Sequence, residues 1–322
     1  MKSKLSSYYQ LLRGTNLIFI MLIMYIVRYF LIVPGMRVCN DYPFFSDMLF
    51  HLLVVATVLI AAAGYAINDY YDQLIDGVNS SKKQIVGVFI RPRVAYLLFW
   101  SLSVMGSLLG VYVSFRVGFI NLGAIFIIVS FILYYYSLKY KRLLLWGNLA
   151  IAFLSSIVIL LPWLFEFFTL IGRPNAFIDH VVCLNLIRKI TMLFVGFSFV
   201  MTLIREWIKD LEDQVGDEQG GRVTLPIRFG VKKTKVIINT TIILFVAALA
   251  VIEWKLMSQK LNYVAYYSIV MISLPLVYLV AKIAKAKTAS DFHFLSTISK
   301  IIMLFGILLL VVSYFTIFKF QY

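Results

Sequence analysis

The chain has little charge and few of the side chains that hold metals in soluble proteins. Only 14% of its 322 residues are charged, and it contains two cysteines and three histidines. Cys39 and Cys183 lack the spacing of a paired metal-binding motif. His51, His180 and His293 are equally isolated, so we expect all five side chains to serve packing or interface roles. A transition-metal site built on cysteine or histidine is therefore not predicted.

The chain contains long apolar segments with few charged residues. Hydrophobic residues make up 62% of the chain and the mean hydropathy is +0.91, far outside the soluble range. A helix needs about 20 apolar residues to cross roughly 30 Å of hydrocarbon. Segments of this kind lie near residues 16–33, 49–67, 95–114, 118–136, 148–165, 189–205, 236–254, 262–281 and 297–317. We predict an all-α polytopic membrane protein of about nine helices, with residues 1–322 forming a single domain and the first span retained.

The positive charges are distributed unevenly between the two predicted sides of the membrane. With the N-terminus inside, that side carries twenty Lys and Arg residues and the opposite side carries eight. Short cytoplasmic loops retain positive charge, so the count favours a cytoplasmic N-terminus. We therefore attribute the net charge of +15 to Lys and Arg residues that set membrane topology and contact anionic lipids. No nucleic-acid partner is predicted.

The first of two acidic motifs covers residues 68–76 and begins where the second span ends. On a continuing helix at about 100° per residue, Asn68, Asp72 and Asp76 advance by only about 40° at each step. Asp69 falls about 20° beyond Asp76. The motif therefore predicts one polar face made of three carboxylates and an amide.

The second acidic motif covers residues 205–217 and begins where the sixth span ends. Asp210, Asp213 and Asp217 lie within an arc of about 60° on a helix, although Gly216 is a candidate for ending that helix before Asp217. Because even-numbered spans end on the same side, both motifs are predicted to face the cytoplasm. They can therefore contribute to a single site.

Two opposed carboxylate faces repel each other unless divalent cations lie between them. Hard oxygen ligands select Mg²⁺, which takes its remaining ligands from water and phosphate. The predicted guest is therefore a diphosphate bridged through metal, and the apolar interior beside it suits an isoprenoid diphosphate. Basic residues predicted on the same side can cover the remaining phosphate charge: Lys82, Lys83, Lys139, Lys141, Arg142 and Arg222.

These motifs closely resemble those of the UbiA superfamily of intramembrane prenyltransferases. The first motif matches as Asn68-Asp69-x-x-Asp72-x-x-x-Asp76. The second matches from Arg205-Glu206 through Lys209-Asp210, Asp213 and Gly216-Asp217, followed by Gly221, Thr224-Leu225-Pro226 and Gly230. Tyr136-Ser137-x-Lys139 and Gly147-Asn148 resemble family positions between the two motifs. The similarity covers roughly residues 10–235, whereas the last three spans agree mainly in hydropathy.

The resemblance implies nine transmembrane helices around a central cavity and two Mg²⁺ ions that bind the donor diphosphate. The implied ligands are Asn68, Asp72 and Asp76 on one side and Asp210, Asp213 and Asp217 on the other. Ionisation of the allylic C–O bond would then allow an acceptor nucleophile to capture the carbocation.

Two residues beside the metal face are predicted to act in the reaction. Asp69 is expected to orient or deprotonate the acceptor, or to support a metal ligand. Lys209 is expected to contact phosphate or to neutralise nearby acids. Phosphate-binding roles are expected for Lys82, Lys83, Lys139 and Arg222. The candidates for stabilising a carbocation, which also suit membrane-interface anchoring, are Tyr65, Tyr70, Tyr71, Tyr134, Tyr135, Tyr136 and Trp207.

The acceptor is the least determined part of the predicted reaction. The segment Asn79-x-x-Lys82-Lys83-x-x-x-Gly87 resembles the branch that transfers a geranylgeranyl group to a glyceryl phosphate lipid. Ser80 and Ser81 depart from that branch, where proline and further basic residues are common. An aromatic acceptor of the 4-hydroxybenzoate or naphthoate type is the alternative. Lys82 and Lys83 could bind an acceptor phosphate, the donor diphosphate or membrane lipids.

Two other classes of membrane protein compete with the prenyltransferase. An ion-coupled transporter would place acids or broken helices near the membrane midplane, whereas both motifs here lie at span ends. A non-catalytic scaffold gives no reason for the two acidic motifs. The predicted function is therefore Mg²⁺-dependent prenyl transfer within the membrane.

Overall fold

The computed structural model describes residues 4–73 and 84–318, which are almost entirely helical. Nine helices in this part of the chain are long and apolar enough to cross a membrane, which confirms the predicted fold class. We label them α1 to α9. Their bounds are α1 Gly14–Arg37, α2 Asp47–Tyr71, α3 Pro92–Val117, α4 Ile120–Leu138, α5 Trp146–Ile171, α6 Val181–Glu212, α7 Leu225–Ser258, α8 Asn262–Lys285 and α9 Ala289–Thr316.

Short helices complete the chain outside these spans. Lys4–Leu11 precedes α1, Pro174–Asp179 lies between α5 and α6, and Gln214–Gln219 follows α6. Three spans contain π-helical residues: Arg28–Ile32 in α1, Ile269–Ser273 in α8, and the turn Tyr314–Phe318 that overlaps the end of α9. The helix α7 is interrupted at Gly230, whose φ of 81° is a left-handed conformation that favours glycine.

Small residues allow the helices to pack closely. In α3, a Cβ atom at Gly106 would lie 3.0 Å from the carbonyl oxygen of Ala56 in α2 and 2.7 Å from the Ile60 side chain. The absence of a side chain therefore allows the backbones of α2 and α3 to approach, as in many membrane helix pairs. This contact packs α3 against the middle of α2, the helix that ends at the first acidic motif.

The end of the bundle opposite the acidic motifs contains a disulfide bond between Cys39 and Cys183. The bond ties the chain just after α1 to the first turn of α6. Our expectation that the two cysteines only pack in the interior was wrong, because positions 144 residues apart in sequence give no spacing signal of a disulfide. The helix packing brings these two distant segments together.

A buried ion pair lies at the same far end. The Arg28 Nη1 atom donates to Glu166 Oε2 at 2.9 Å, and both side chains are fully buried. The backbone N–H groups of Phe44 and Phe45 also donate to the Glu166 carboxylate, at 2.6 and 3.3 Å. Asp47 accepts a further bond from Arg28 at 3.1 Å. Glu166 therefore lies within α5 and is buried in the interior.

Removal of Arg28 is expected to destabilise the protein strongly. Arg28→Met leaves the buried Glu166 carboxylate without its cation, which typically costs about 3–5 kcal/mol in free energy of unfolding. Arg28→Met/Glu166→Gln removes both charges and should recover part of that loss. Thermal unfolding of purified protein measures both effects, with Arg116→Met at an exposed arginine as the control. A double variant no more stable than the single variant would contradict this account.

Candidate active site at the cavity mouth

A cavity of about 380 Å³ lies in the centre of the bundle. Its walls come from α1, α2, α4, α5 and α6, with Met303 of α9. One end is lined by apolar side chains, which include Ile20, Ile60, Phe126, Val129 and Leu161. The other end is lined by Asn68 of the first motif and by charged side chains of the second motif. The cavity can therefore hold a molecule that is apolar along its length and anionic at one end.

The first motif lies at the C-terminal end of α2. This helix ends at Tyr71, and the N–H group of Asp72 donates to the carbonyl oxygen of Asn68 at 3.0 Å. The Asn68 side chain lines the cavity and donates from Nδ2 to Asp72 Oδ2 at 3.1 Å. Asp76, Lys82 and Lys83 lie outside the described residues, so their predicted roles stay predictions.

The second motif lies where α6 ends. This helix ends at Glu212, and Asp213 precedes the short helix Gln214–Gln219. The break therefore falls at Asp213 rather than at Gly216, which lies inside the short helix. Asp210, Asp213 and Asp217 all line the cavity despite the break.

One cation joins the two motifs across the cavity mouth, and a second cation binds the first motif alone. Arg222 donates from Nη1 to Asp217 Oδ1 at 2.8 Å and from Nη2 to Asp72 Oδ1. Lys141 donates to Asn68 Oδ1 at 2.8 Å and also to Asp72 Oδ2. Both oxygens of Asp72 are thus bound by a cation, and the side chain is only 8% exposed. The structure therefore brings the two motifs to the same end of one cavity.

Burial and charge act in opposite directions on these two cations. Burial lowers the pKa of Lys141 to about 8, with Asp72 opposing the shift and Arg222 adding to it. Burial also acts to lower the pKa of Arg222, but the Asp72 and Asp217 carboxylates raise it overall. Arg222 therefore provides a permanent charge at the centre of the mouth, whereas the charge of Lys141 depends on its neighbours.

The remaining charged residues of the motifs have separate partners. Asn148 of α5 donates from Nδ2 to Asp210 Oδ2 at 2.8 Å. Asp69 accepts a bond from Arg13 Nη2 at 3.1 Å. Lys209 lines the same cavity. Each of these acids is thus accompanied by a donor, as expected for carboxylates held next to hydrocarbon.

Arg13 lines the cavity, a position that its sequence context did not predict. A single arginine before the first span is indistinguishable from an ordinary flanking charge. Lys141 also proves more central than Lys139, which is exposed and absent from the cavity wall. The three residues Tyr140–Arg142 form a short 3₁₀ turn, and this geometry directs Lys141 towards Asp72.

The aromatic candidates separate into two groups. Tyr65 and Tyr136 line the cavity. Tyr71 and Tyr134 instead belong to an aromatic cluster with Tyr70, Tyr96, Phe99 and Trp100. Tyr135 is exposed, and Trp207 of α6 is buried in the hydrophobic core. Only two of the seven predicted aromatic residues therefore face the space available to a prenyl chain.

The donor set fits Mg²⁺ in chemical type. Asn68 and the carboxylates of both motifs supply hard oxygen ligands around one end of the cavity. Within residues 4–73 and 84–318, no three His, Cys, Asp or Glu side chains stand together as a preformed metal cluster. Lys141 and Arg222 instead bind the Asp72 oxygens. Metal ligation thus requires these two cations to release Asp72.

The chain is similar to known prenyltransferases over most of its length. Residues 29–304 match the UbiA prenyltransferase family. The chain is 30% identical to the digeranylgeranylglyceryl phosphate synthase of Korarchaeum cryptofilum over 256 residues, which cover 78% of this chain and 80% of that protein. It is also 30% identical over 185 residues to the synthase of that name from Methanothermobacter thermautotrophicus, where the match spans 57% of each protein.

Solved structures share the fold. A structure described as digeranylgeranylglyceryl phosphate synthase in membranes superposes with a TM-score of 0.61 at 22% identity, covering 97% of this chain and 98% of the other. A UbiA homolog from Archaeoglobus fulgidus, bound to DMAPP and Mg²⁺, superposes with a TM-score of 0.54 at 13% identity, covering 95% of this chain and all of the other. At these identities the likeness shows a common arrangement of helices.

Substitution of an acid in either motif is expected to abolish the activity of this site. Asp72→Asn and Asp213→Asn each remove a charged oxygen ligand while keeping side-chain size, so prenyl transfer should fall by about a hundredfold or more. Steady-state transfer rates and thermal unfolding are both measured for each variant, so that a loss of activity can be distinguished from a loss of folded structure. Asp179→Asn, at an exposed far-side aspartate, is the matched control. Retained activity in both motif variants would exclude a site built from the two motifs.

Proposed function

The chain belongs to the UbiA prenyltransferase family, and we propose that it transfers a polyprenyl group from an isoprenoid diphosphate to a lipid acceptor of the geranylgeranylglyceryl phosphate type. The observation that carries this proposal is the Arg222 bridge between Asp72 and Asp217. It unites the acidic motifs at the mouth of an apolar cavity. A diphosphate at that mouth with its prenyl chain in the cavity matches both the charge and the polarity of the space.

The metal-binding residues of this proposal are those of the two motifs. They are Asn68, Asp72, Asp210, Asp213 and Asp217, joined by Asp76 from the part of the first motif outside the described residues. Two bound Mg²⁺ ions would supply positive charge to the diphosphate oxygens and so make diphosphate a better leaving group.

Lys141 and Arg222 are the proposed phosphate-binding cations of the same wall. Both contact Asp72 and offset its negative charge. Release of Asp72 frees the Lys141 ammonium and the Arg222 guanidinium to donate to diphosphate oxygens, and the planar guanidinium can do so through two N–H groups. These two residues therefore hold the leaving group while the apolar wall excludes water from the prenyl chain.

The bond changes in the proposed reaction are simple. The allylic C–O bond breaks, and its electron pair leaves with the diphosphate. A hydroxyl oxygen of the acceptor forms the new C–O bond with the prenyl carbon and loses its proton. Asp69, whose side chain is 12% exposed beside Arg13, is the proposed proton acceptor. Tyr65 and Tyr136 offer ring faces to the cationic carbon from the cavity wall.

Support for the lipid acceptor comes from the relatives. Those from Korarchaeum cryptofilum and Methanothermobacter thermautotrophicus carry the name digeranylgeranylglyceryl phosphate synthase. A glyceryl phosphate acceptor is anionic, and the cavity mouth has cations beyond those that bind Asp72. An aromatic acceptor remains the alternative outcome of the assay.

We expect the purified protein in lipid to transfer the prenyl group of geranylgeranyl diphosphate to geranylgeranylglyceryl phosphate. Product formation should stop when Mg²⁺ is chelated and resume when it is restored. Labelled donor allows both products to be followed by chromatography, with 4-hydroxybenzoate offered in a parallel reaction. Product with the aromatic acid alone would contradict the lipid acceptor, and failure to bind diphosphate in the presence of Mg²⁺ would contradict the prenyltransferase itself.

We also propose that the N-terminus and both acidic motifs face the cytoplasm. The charge count of twenty Lys and Arg residues against eight supports this orientation. The Cys39–Cys183 disulfide lies at the opposite end of the bundle, and disulfides persist mainly outside the reducing cytosol. Two independent properties of the chain therefore favour the same orientation.

Labelling of single introduced cysteines tests this orientation in intact cells. Gln259→Cys lies between α7 and α8 at the disulfide end, and Ser290→Cys lies at the start of α9 at the motif end. Both positions are exposed. A membrane-impermeant maleimide should label Gln259→Cys alone, and permeabilisation should make Ser290→Cys reactive. The reverse pattern in intact cells would place the motifs outside.

A further inference from the structure

The cavity lining contains three cations besides Lys141 and Arg222. Resting on the function proposed above, we propose that Arg13, Arg205 and Lys209 form a separate subsite for the phosphate of the acceptor lipid. All three line the cavity together with Asp210, Asp213 and Asp217. Lys141 and Arg222 would then bind the diphosphate of the donor, and the three other cations would bind the monophosphate of the acceptor.

On α6, the basic and the acidic residues of the second motif lie on different sides of the helix. At about 100° per residue, Arg205 and Lys209 lie about 40° apart on one side of this helix. Glu206 and Asp210 lie a further 100° round, again about 40° apart. Glu206 and Asp210 form an acidic stripe, and Arg205 and Lys209 form a basic stripe. Asp210 accepts a hydrogen bond from Asn148 of α5, so the acidic stripe faces α5. The basic stripe therefore occupies a neighbouring side of the same helix, next to the acidic stripe but distinct from it.

Arg13 approaches this basic stripe from the start of α1. Its guanidinium carbon lies 4.9 Å from the centre of the Tyr65 ring, and its Nη2 atom donates to Asp69 at 3.1 Å. A guanidinium has five N–H donors, and a single carboxylate contact leaves several of them for another anion. Arg13 is therefore held in place at the cavity wall while keeping the capacity to bind phosphate.

Arg205 has a similar arrangement on α6. Its Nη1 atom donates to Glu206 at 2.6 Å. Its Nε atom is buried and has no hydrogen-bond partner among the described residues. A buried donor without a partner is costly, and an anion that accepts from it recovers that cost. The Arg205 side chain thus supplies an unused donor next to the cavity.

Lys300 extends the basic wall towards the lipid. It lies in α9, three residues before the cavity-lining Met303, and its side chain is exposed on a membrane-spanning helix. Lysine is expensive at such a position and is seldom placed there without a function. The charged groups within electrostatic reach of Lys300 are Arg205, Lys209, Glu212 and Arg13. A lipid phosphate entering along α9 would therefore meet Lys300 first and the arginines next.

A phosphate monoester suits this subsite better than a neutral headgroup does. Arg13 and Arg205 each contact one carboxylate, Asp69 and Glu206 respectively, and Lys209 and Lys300 add further positive charge. In a glyceryl phosphate, the free hydroxyl lies only one or two carbon atoms from the phosphate ester. A phosphate on Arg13 would therefore bring that hydroxyl close to Asp69, the proposed proton acceptor and the partner of Arg13.

The experiment compares two acceptors that differ only in the phosphate: geranylgeranylglyceryl phosphate and geranylgeranylglycerol. The measured quantity is the ratio of kcat/KM for the two lipids, determined for the full chain in lipid vesicles. Arg205→Met should lower this ratio about tenfold or more, mainly through KM for the phosphorylated lipid, because a charge-assisted hydrogen bond is lost. Lys300→Met, on an exposed side chain that folding does not require, should lower the ratio severalfold. KM for the donor should stay nearly constant in both.

Two control variants distinguish this subsite from other lysines that could bind the acceptor phosphate. Lys285→Met removes an exposed charge at the same end of the bundle, away from the cavity, and should leave the ratio unchanged. Lys82→Met/Lys83→Met tests the other lysines considered for an acceptor phosphate. An unchanged ratio in Arg205→Met and Lys300→Met, with a lowered ratio in the Lys82/Lys83 variant, would overturn the proposal.

A lipid-binding measurement can test the subsite even if the proposed transfer reaction is wrong. If the wild type transfers to neither lipid, the lipid-acceptor function fails, and thermal stabilisation by the two lipids becomes the test of the subsite. Stabilisation by the glyceryl phosphate but not by the glycerol, lost in Arg205→Met, supports the subsite. Equal stabilisation by both lipids contradicts it.

Discussion

The contact of one buried carboxylate with two cations is the interaction on which the rest of the site depends. Asp72 ends α2 at the edge of the hydrocarbon, where an unpaired charge is costly. Lys141 and Arg222 bind its two oxygens, and Arg222 also binds Asp217 after α6. This contact joins chain segments 150 residues apart. The contact lies beside the cavity. In the proposed reaction, metal ions replace these cations at Asp72, and the freed cations bind phosphate.

Charge is divided between the two ends of the bundle, and the division explains how the site can change while the fold persists. The far end carries the Arg28–Glu166 pair and the Cys39–Cys183 disulfide, which tie α1, α5 and α6 together. The motif end carries the cations and acids that a ligand must rearrange. The Arg28–Glu166 pair and the disulfide thus lie at the end of the bundle opposite the Asp72 contacts.

Much of this organisation could be predicted from hydropathy and from the periodicity of the acids. Nine apolar segments predicted nine spans, and the parity of the spans brought Asp72 and Asp217 to one face. Contacts set by tertiary packing could not be predicted. Arg13 reads as an ordinary flanking charge, Cys39 and Cys183 have no characteristic spacing, and Glu166 resembles a loop residue. The break at Asp213 was also missed, because Gly216 is the stronger local signal for the end of a helix.

The central claim is that the two acidic motifs form a single two-metal diphosphate site once Lys141 and Arg222 release Asp72. Electron paramagnetic resonance with Mn²⁺ in place of Mg²⁺ tests it most directly, in the presence of an unreactive isoprenoid thiolodiphosphate. The account predicts two Mn²⁺ ions per chain with spin coupling between them, and loss of the coupled signal in Asp217→Asn. One isolated Mn²⁺ ion, or a coupled pair that survives this substitution, would contradict the account.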